Sequence, residues 1–210
     1  MPTDLPPVWE AHPSTVLDLK SELKGRVRIE GTGCRIVVGE NVRFDATIRI
    51  FPEVSNAVIE VGDNCVIGGV IRLVRGDGGL IRIGADTTFN QVGLSMHERG
   101  RIVFGRDCML STDIHMDPSD MHPIFDRASG QRLNPAQDIE IGDHVWLGTR
   151  VLVLKGARIG DGAIVGAGSI VSGTIAPNTL SLGSPARVIR EDVVWTRDFD
   201  AAADMVLPPR

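Results

Sequence analysis

The stretch "IEIGDHVWLGTRVLVLKGARIGDGAIVGAGSIVSG" (Ile139–Gly173) repeats an aliphatic residue at a fixed beat. Ile141, Leu147, Val153, Ile159, Val165 and Val171 stand six residues apart, and Gly142, Gly148, Gly160 and Gly166 each follow a beat residue directly. A period of six is neither the 3.6 of a helix nor the 2 of a strand. It fits a short strand that turns a corner into the next strand, with two inward side chains in every six residues. Three such sides close a triangular coil of 18 residues, and stacked coils pair in parallel, each burying its neighbour's face.

The beat extends upstream. An apolar residue, a glycine and, two residues further on, usually an acid or amide recur as "VGEN" from Val38, "VGDN" from Val61, "IGAD" from Ile83, "FGRD" from Phe104, "IGDH" from Ile141 and "IGDG" from Ile159. The spacings are 23, 22, 21, 37 and 18 residues, which predicts small loops in the early coils and one large loop after Phe104. The slot four residues beyond each beat holds small or β-branched residues: Val42, Cys65, Ile71, Thr87, Gly93, Cys108, Val145, Val151, Ala157, Ala163, Ser169 and Ile175. These are expected to point inward where two walls meet, and the glycine after the beat is expected to supply a corner with positive φ. The pattern predicts an all-β parallel β-helix of hexapeptide repeats. A parallel-sheet α/β protein is disfavoured, because no segment between beats carries the 10–12 residues of helical period that a crossover helix needs.

The organisation expected is an N-terminal cap over 1–25, a repeat domain over 26–190 with a protruding loop at 116–138, and a C-terminal cap over 191–210. Segment 8–24 reads as a short helix or an extended cap. Segment 191–205, "EDVVWTRDFDAAADM", reads as a short helix closing the last coil, since an open β-helix end is an exposed sheet edge.

The 210 residues suit one domain with short appendages, and 42% apolar content is ample for a core. A net charge of −5 argues against nucleic acid as a partner. No basic region followed by an apolar run opens the chain, and no run of about 18 apolar residues exists, so neither a signal peptide nor a membrane span is expected. Cys34, Cys65 and Cys108, odd in number and widely spaced, argue against a disulfide framework and for a reducing cytoplasm.

The loop "MDPSDMHPIFDRASGQRLNPAQD" (Met116–Asp138) is not required by the repeat and holds His122 between Asp120 and Pro123. A loop thrown out of a rigid scaffold is a usual place for a site, and a histidine is the natural base for a hydroxyl proton. His97 and His115 read as surface or wall residues, and His144 as a solvent-exposed repeat position. There is no GxSxG elbow, and Cys65 and Cys108 read as core thiols rather than nucleophiles.

The stretch Ser119–Glu191 resembles the hexapeptide-repeat acyltransferases. The galactoside and maltose acetyltransferases carry a similar "HP", a "VWIG" at the same distance, "GAGS" and a "G-x-P-x-R-V-I-R" ending. The capsular and polysialic acid O-acetyltransferases look closer, with "SD-x-H-x-I-F-D" and "IGDHVWLG". The resemblance implies left-handed coils, acetyl-CoA as acyl donor, a sugar or glycan hydroxyl as acceptor, no required metal, and a homotrimer with each site between two prisms. It implies that His122 is the catalytic base and that Trp146 lines the acyl-CoA and acceptor site. Thr149 and Ala167 would lie along the pantetheine arm, Ser172 near the cofactor's distal part, and Arg187 and Arg190 near the CoA phosphates. Asn90 and Asp120 would lie on the acceptor side, with Asp120 a candidate to orient the imidazole or cap the loop. Where many relatives have lysine after Ser172, this chain has Gly173, which implies a missing cofactor contact. Competing readings are an N-acyltransferase acting on an amino sugar nucleotide, a xenobiotic acetyltransferase, and a catalytically silent scaffold. A three-histidine zinc site, as in the β-helical carbonic anhydrases, is disfavoured by the spacing of His115 and His122.

Overall fold

A computed structural model describes residues 9–201. Mostly two to four residues long, the strands alternate with corners, and no helix occurs among the described residues. They fall on three walls. The first is an eight-stranded parallel sheet running from Val16–Leu19 to Thr174–Ile175. The second includes Met109–Leu110, Trp146–Leu147 and Ile164–Val165, stacked in parallel register. The third includes Ile114–Met116, Leu152–Val153 and Ile170–Val171. Val66–Leu73 and Thr88–Met96 run unbroken around the corner from the second wall to the third, which joins those walls into one 14-stranded sheet. The architecture is a left-handed parallel β-helix.

The beat residues make the core. Val38, Val61, Ile83, Phe104, Ile141 and Ile159 stand in direct register on the first wall, and each is at most 3% exposed. Leu147 stacks on Val165 in the second wall and Val153 on Val171 in the third. Each such side chain removed from water contributes up to roughly 1.5–3 kcal/mol. The inward slot holds as expected at Cys65, Thr87, Cys108, Val145, Ala157, Ala163 and Ser169, all fully buried. It fails at Gly93. The register shifts between Phe89 and Val92, so Gly93 turns outward beneath the His115 imidazole.

The reason for the glycines differs from the expectation. Gly142, Gly148, Gly160 and Gly166 are not in the left-handed region. They are needed because the next coil lies too close: a Cβ on Gly160 would sit 2.7 Å from Pro177 Cδ, and one on Gly148 2.7 Å from the Ala167 nitrogen. The left-handed residue comes two positions later. Asn41, Asn64, Asp86, Asp107, His144, Gly162 and Asn178 all take positive φ at the corner between the first and second walls. Asn, Asp and His tolerate that conformation better than most side chains, so the acid or amide of the repeat is the true corner signal.

Both ends of the described residues are extended. Trp9–Ala11 and Val16–Leu19 pair in parallel with Val27–Ile29 and Arg35–Val38, so the extended alternative holds for residues 9–24 of segment 8–24, and residues 1–8 of the expected cap lie outside the described residues. The helix expected over 191–205 is absent through residue 201, and residues 202–205 lie outside the described residues. Instead Ala186–Arg190 folds back antiparallel on Leu180–Gly183. The following residues form a strap along the corner between the first and second walls, with the Val193 amide on the Asn178 carbonyl at 2.9 Å.

Candidate active site

The large loop leaves the third wall at Met116 and rejoins the first at Ile139. Its stem is tied by buried and half-buried polar groups. Arg132 makes a fork on Glu98, with its two nitrogens at 2.7 and 2.6 Å from the carboxylate oxygens, and the Ser119 hydroxyl donates to the same carboxylate at 2.6 Å. Hydrogen bonds from Arg132 and Ser119 hold Glu98 down at about 2. Beside it, the Asp117 carboxylate meets His97 Nδ1, and His97 Nε2 lies 3.0 Å from an Arg72 nitrogen. Burial pushes Asp117 above its ordinary value, against those bonds.

Asn134 organises the tip. Its side-chain oxygen accepts from the Ile124 amide at 2.6 Å, and its nitrogen donates to the His122 carbonyl at 2.9 Å and to the Asp120 carboxylate at 3.0 Å. The His122 amide donates to the Asp120 carbonyl at 2.7 Å, and Met121 just before it is left-handed. The backbone of His122 is thus fixed while its side chain is exposed. Among the described residues the imidazole has no hydrogen-bond partner. Asp120 does not orient it: its carboxylate is engaged by Lys155 at 2.6 Å and by Asn134, and those bonds lower its titration. Asp120 therefore caps the loop.

The remaining residues sort by corner and wall. Trp146 stands on the second wall, 38% exposed. Thr149 turns the corner between the second and third walls, its hydroxyl 2.9 Å from that of Ser111. Ala167 lies one coil further along the same corner, beside Gly148, and Asn90 lies there two coils earlier. Ser172 is exposed at the corner between the third and first walls, and Arg187 and Arg190 are exposed on the final strand.

A groove of about 810 Å³ on the third wall is lined by Arg72, Asn90, Gln91, Ser95, Asp113 and His115. A cleft of about 410 Å³ at the foot of the loop is lined by Arg72, Ser95, His115, Asp117, Asp120 and Lys155, among others. The shared residues make one depression running from Asn90 to the base of the His122 loop. Within one chain Trp146 lies on the second wall and the His122 loop springs from beyond the third, so the structure does not bring those two together. No group of three or more His, Cys, Asp or Glu side chains is arranged to hold a metal among the described residues.

Two histidines differ from their expected settings. His97 is 9% exposed and built into the loop stem. His144 is half-buried, stacked on Trp195 at 4.0 Å between ring centres, with Nδ1 2.7 Å from Asp107 and Nε2 3.0 Å from the Trp195 carbonyl. The sequence does not mark Arg72, Glu98, Arg132, Asn134 and Lys155 as parts of the site, because their partners are distant in the chain: Arg132 and Glu98 are 34 residues apart, and Lys155 and Asp120 lie on separate elements.

A prism of hexapeptide coils with one loop thrown out between its third and first walls is the architecture of the hexapeptide-repeat class. The family model for the bacterial transferase hexapeptide (six repeats) matches residues 138–173. A polysialic acid O-acetyltransferase of Neisseria meningitidis is 33% identical over 168 residues, covering 80% of this chain and 74% of that protein. One from Escherichia coli O1:K1 / APEC is 31% identical over 139 residues, covering 66% of this chain and 45% of that protein. The crystal structure of the polysialic acid O-acetyltransferase OatWY superposes with a TM-score of 0.79 at 27% identity, over 93% of this chain and 90% of that one. The chain belongs to the hexapeptide-repeat O-acetyltransferases.

Proposed function

We propose that the protein transfers an acetyl group from acetyl-CoA to a hydroxyl of a sugar or polysaccharide, with His122 as general base. The observation that carries this reading is a histidine with a fixed backbone and a free imidazole on a loop whose base borders a groove lined by polar side chains. His122 takes the acceptor hydroxyl proton as that oxygen attacks the thioester carbonyl. The carbon–sulfur bond then breaks, and the imidazolium returns the proton to the leaving thiolate. Base assistance of this kind is worth roughly 10²–10⁴-fold. Backbone N–H groups of the rigid wall supply the oxyanion donors.

The donor lies along the corner of Thr149 and Ala167, with Trp146 beside it, Ser172 further along, and Arg187 and Arg190 meeting its phosphates as guanidinium forks. Asn90 lies on the acceptor side. The separation of Trp146 from the His122 loop within one chain supports a homotrimer in which the loop of one protomer faces the second wall of its neighbour. The described residues contain no helix long and apolar enough to cross a membrane, and three free buried cysteines suit a reducing cytoplasm.

The test is an acceptor panel with acetyl-labelled acetyl-CoA. The label is expected on sugars or glycan fragments in a form released by mild alkali, as an ester is. Alkali-stable label on amino sugars would replace this reading with N-transfer.

A further inference from the structure

We propose that the C-terminal strap is part of the donor side of the site, that Trp195 is the positioning residue for Trp146, and that the His144 imidazolium latches the strap in place. The inference rests on Trp146 lining the donor site.

The strap is held by specific bonds rather than by loose contact. Trp195, only 6% exposed, donates its indole N–H to the His144 carbonyl at 2.8 Å, while its own carbonyl faces His144 Nε2. Its ring lies nearly parallel to the imidazole, 7° apart, and 6.0 Å from the Trp146 ring at a 47° tilt. Arg197 continues the strap: it donates to Asp107 at 2.9 Å, to the Thr88 hydroxyl at 2.9 Å and to the Cys108 carbonyl at 2.9 Å. An exposed indole on a flat wall has several rotamers open to it; a second indole wedged beside it removes some of them.

Both ring nitrogens of His144 face acceptors. Nδ1 meets a carboxylate oxygen of Asp107 and Nε2 meets a backbone carbonyl. A neutral imidazole has one N–H and satisfies one of these, whereas the imidazolium satisfies both. The charged group that faces the ring is Asp107, from the preceding coil, and it is paired in turn with Arg197 of the strap. Asp86, Asp143 and Asp161, along the same corner, are engaged by Asn64 and by backbone amides. The latch is therefore fully made when His144 is protonated, and one of its bonds is lost as pH rises.

The test uses the full chain carrying Trp9→Phe, so that only Trp146 and Trp195 emit. Acrylamide quenching is followed from pH about 5 to about 9, the range in which histidine titrates. Quenching is expected to increase with pH in this background. With His144→Asn added, which keeps a residue suited to the left-handed corner, quenching should be high and flat. A second variant, Trp195→Leu, is expected to expose Trp146 at every pH and to raise KM for acetyl-CoA about tenfold with kcat within about twofold, the pattern of lost donor binding. Quenching that is independent of pH and unchanged by His144→Asn overturns the latch. A Trp195→Leu variant with unchanged Trp146 emission and unchanged KM overturns the positioning role. If the quenching behaves as proposed but the parent protein turns over no acetyl-CoA with any acceptor, the donor-side role of the strap falls with the proposed function, while the His144 latch and the packing of Trp195 on Trp146 stand.

Discussion

Gly160 follows the beat residue Ile159 directly, Gly173 stands two residues after the beat residue Val171, and their surroundings differ. A Cβ on Gly160 would be forced against Pro177 of the next coil, whereas one on Gly173 meets nothing within 4 Å. Gly160→Ala is expected to destabilise the fold by about 1–3 kcal/mol, as overpacking does, read as a lower melting temperature. Gly173→Lys is expected to leave the melting temperature unchanged and to lower KM for acetyl-CoA by adding the basic side chain that the family resemblance implies at this place. At this scale the beat and the inward slot were legible, because each answers to burial alone. The corner chemistry was not: glycine's close approach and the left-handed Asn, Asp or His two residues later depend on the coil stacked alongside, which periodicity does not reveal. The thiols were read correctly as core groups. Burial pushes Cys65 and Cys108 up to about 11, so none of the three cysteines should be alkylated by iodoacetamide at neutral pH in the native protein, and all three should react once it is unfolded.

At the scale of the element, the loop over 116–138 could be read from an excess of residues between Phe104 and Ile141, and its histidine stood out by residue type. Its support could not be read, since Arg132 and Glu98 are 34 residues apart and nothing in a single chain pairs them. The ion pair gives the loop a pH signature. The folded value of Glu98 lies at about 2, below its ordinary 4.5. Its ionised form therefore adds stability that is fully present above pH 4.5 and is lost as pH falls toward 2. Melting temperatures of the parent protein and Glu98→Gln should differ at pH 7 and converge through that window. A constant difference down to pH 2 would remove Glu98 from the loop's stability. The helix expected over 191–205 rested on the need to cover the open coil end; bonds from Trp195 and Arg197 to the corner make that cover an extended strap through residue 201.

For the whole molecule, the parallel β-helix followed from one period, and left-handed coils followed from the resemblance. The site did not follow in the same way, because its parts lie on opposite sides of the third wall of one chain. If His122 of one protomer works on the second wall of the next, co-assembled His122→Ala and Trp146→Ala chains should regain activity that neither homogeneous protein has, scored as acetyl transfer by mixed oligomers. The most direct measurement is free-thiol release from acetyl-CoA in the presence of sugar and glycan acceptors, comparing the parent protein with His122→Ala. Acceptor-dependent release that falls by roughly 10²-fold or more in the variant, with its melting temperature and donor binding unchanged, is the expected result. Acceptor-dependent release that survives the substitution would contradict the assignment of His122 as the base.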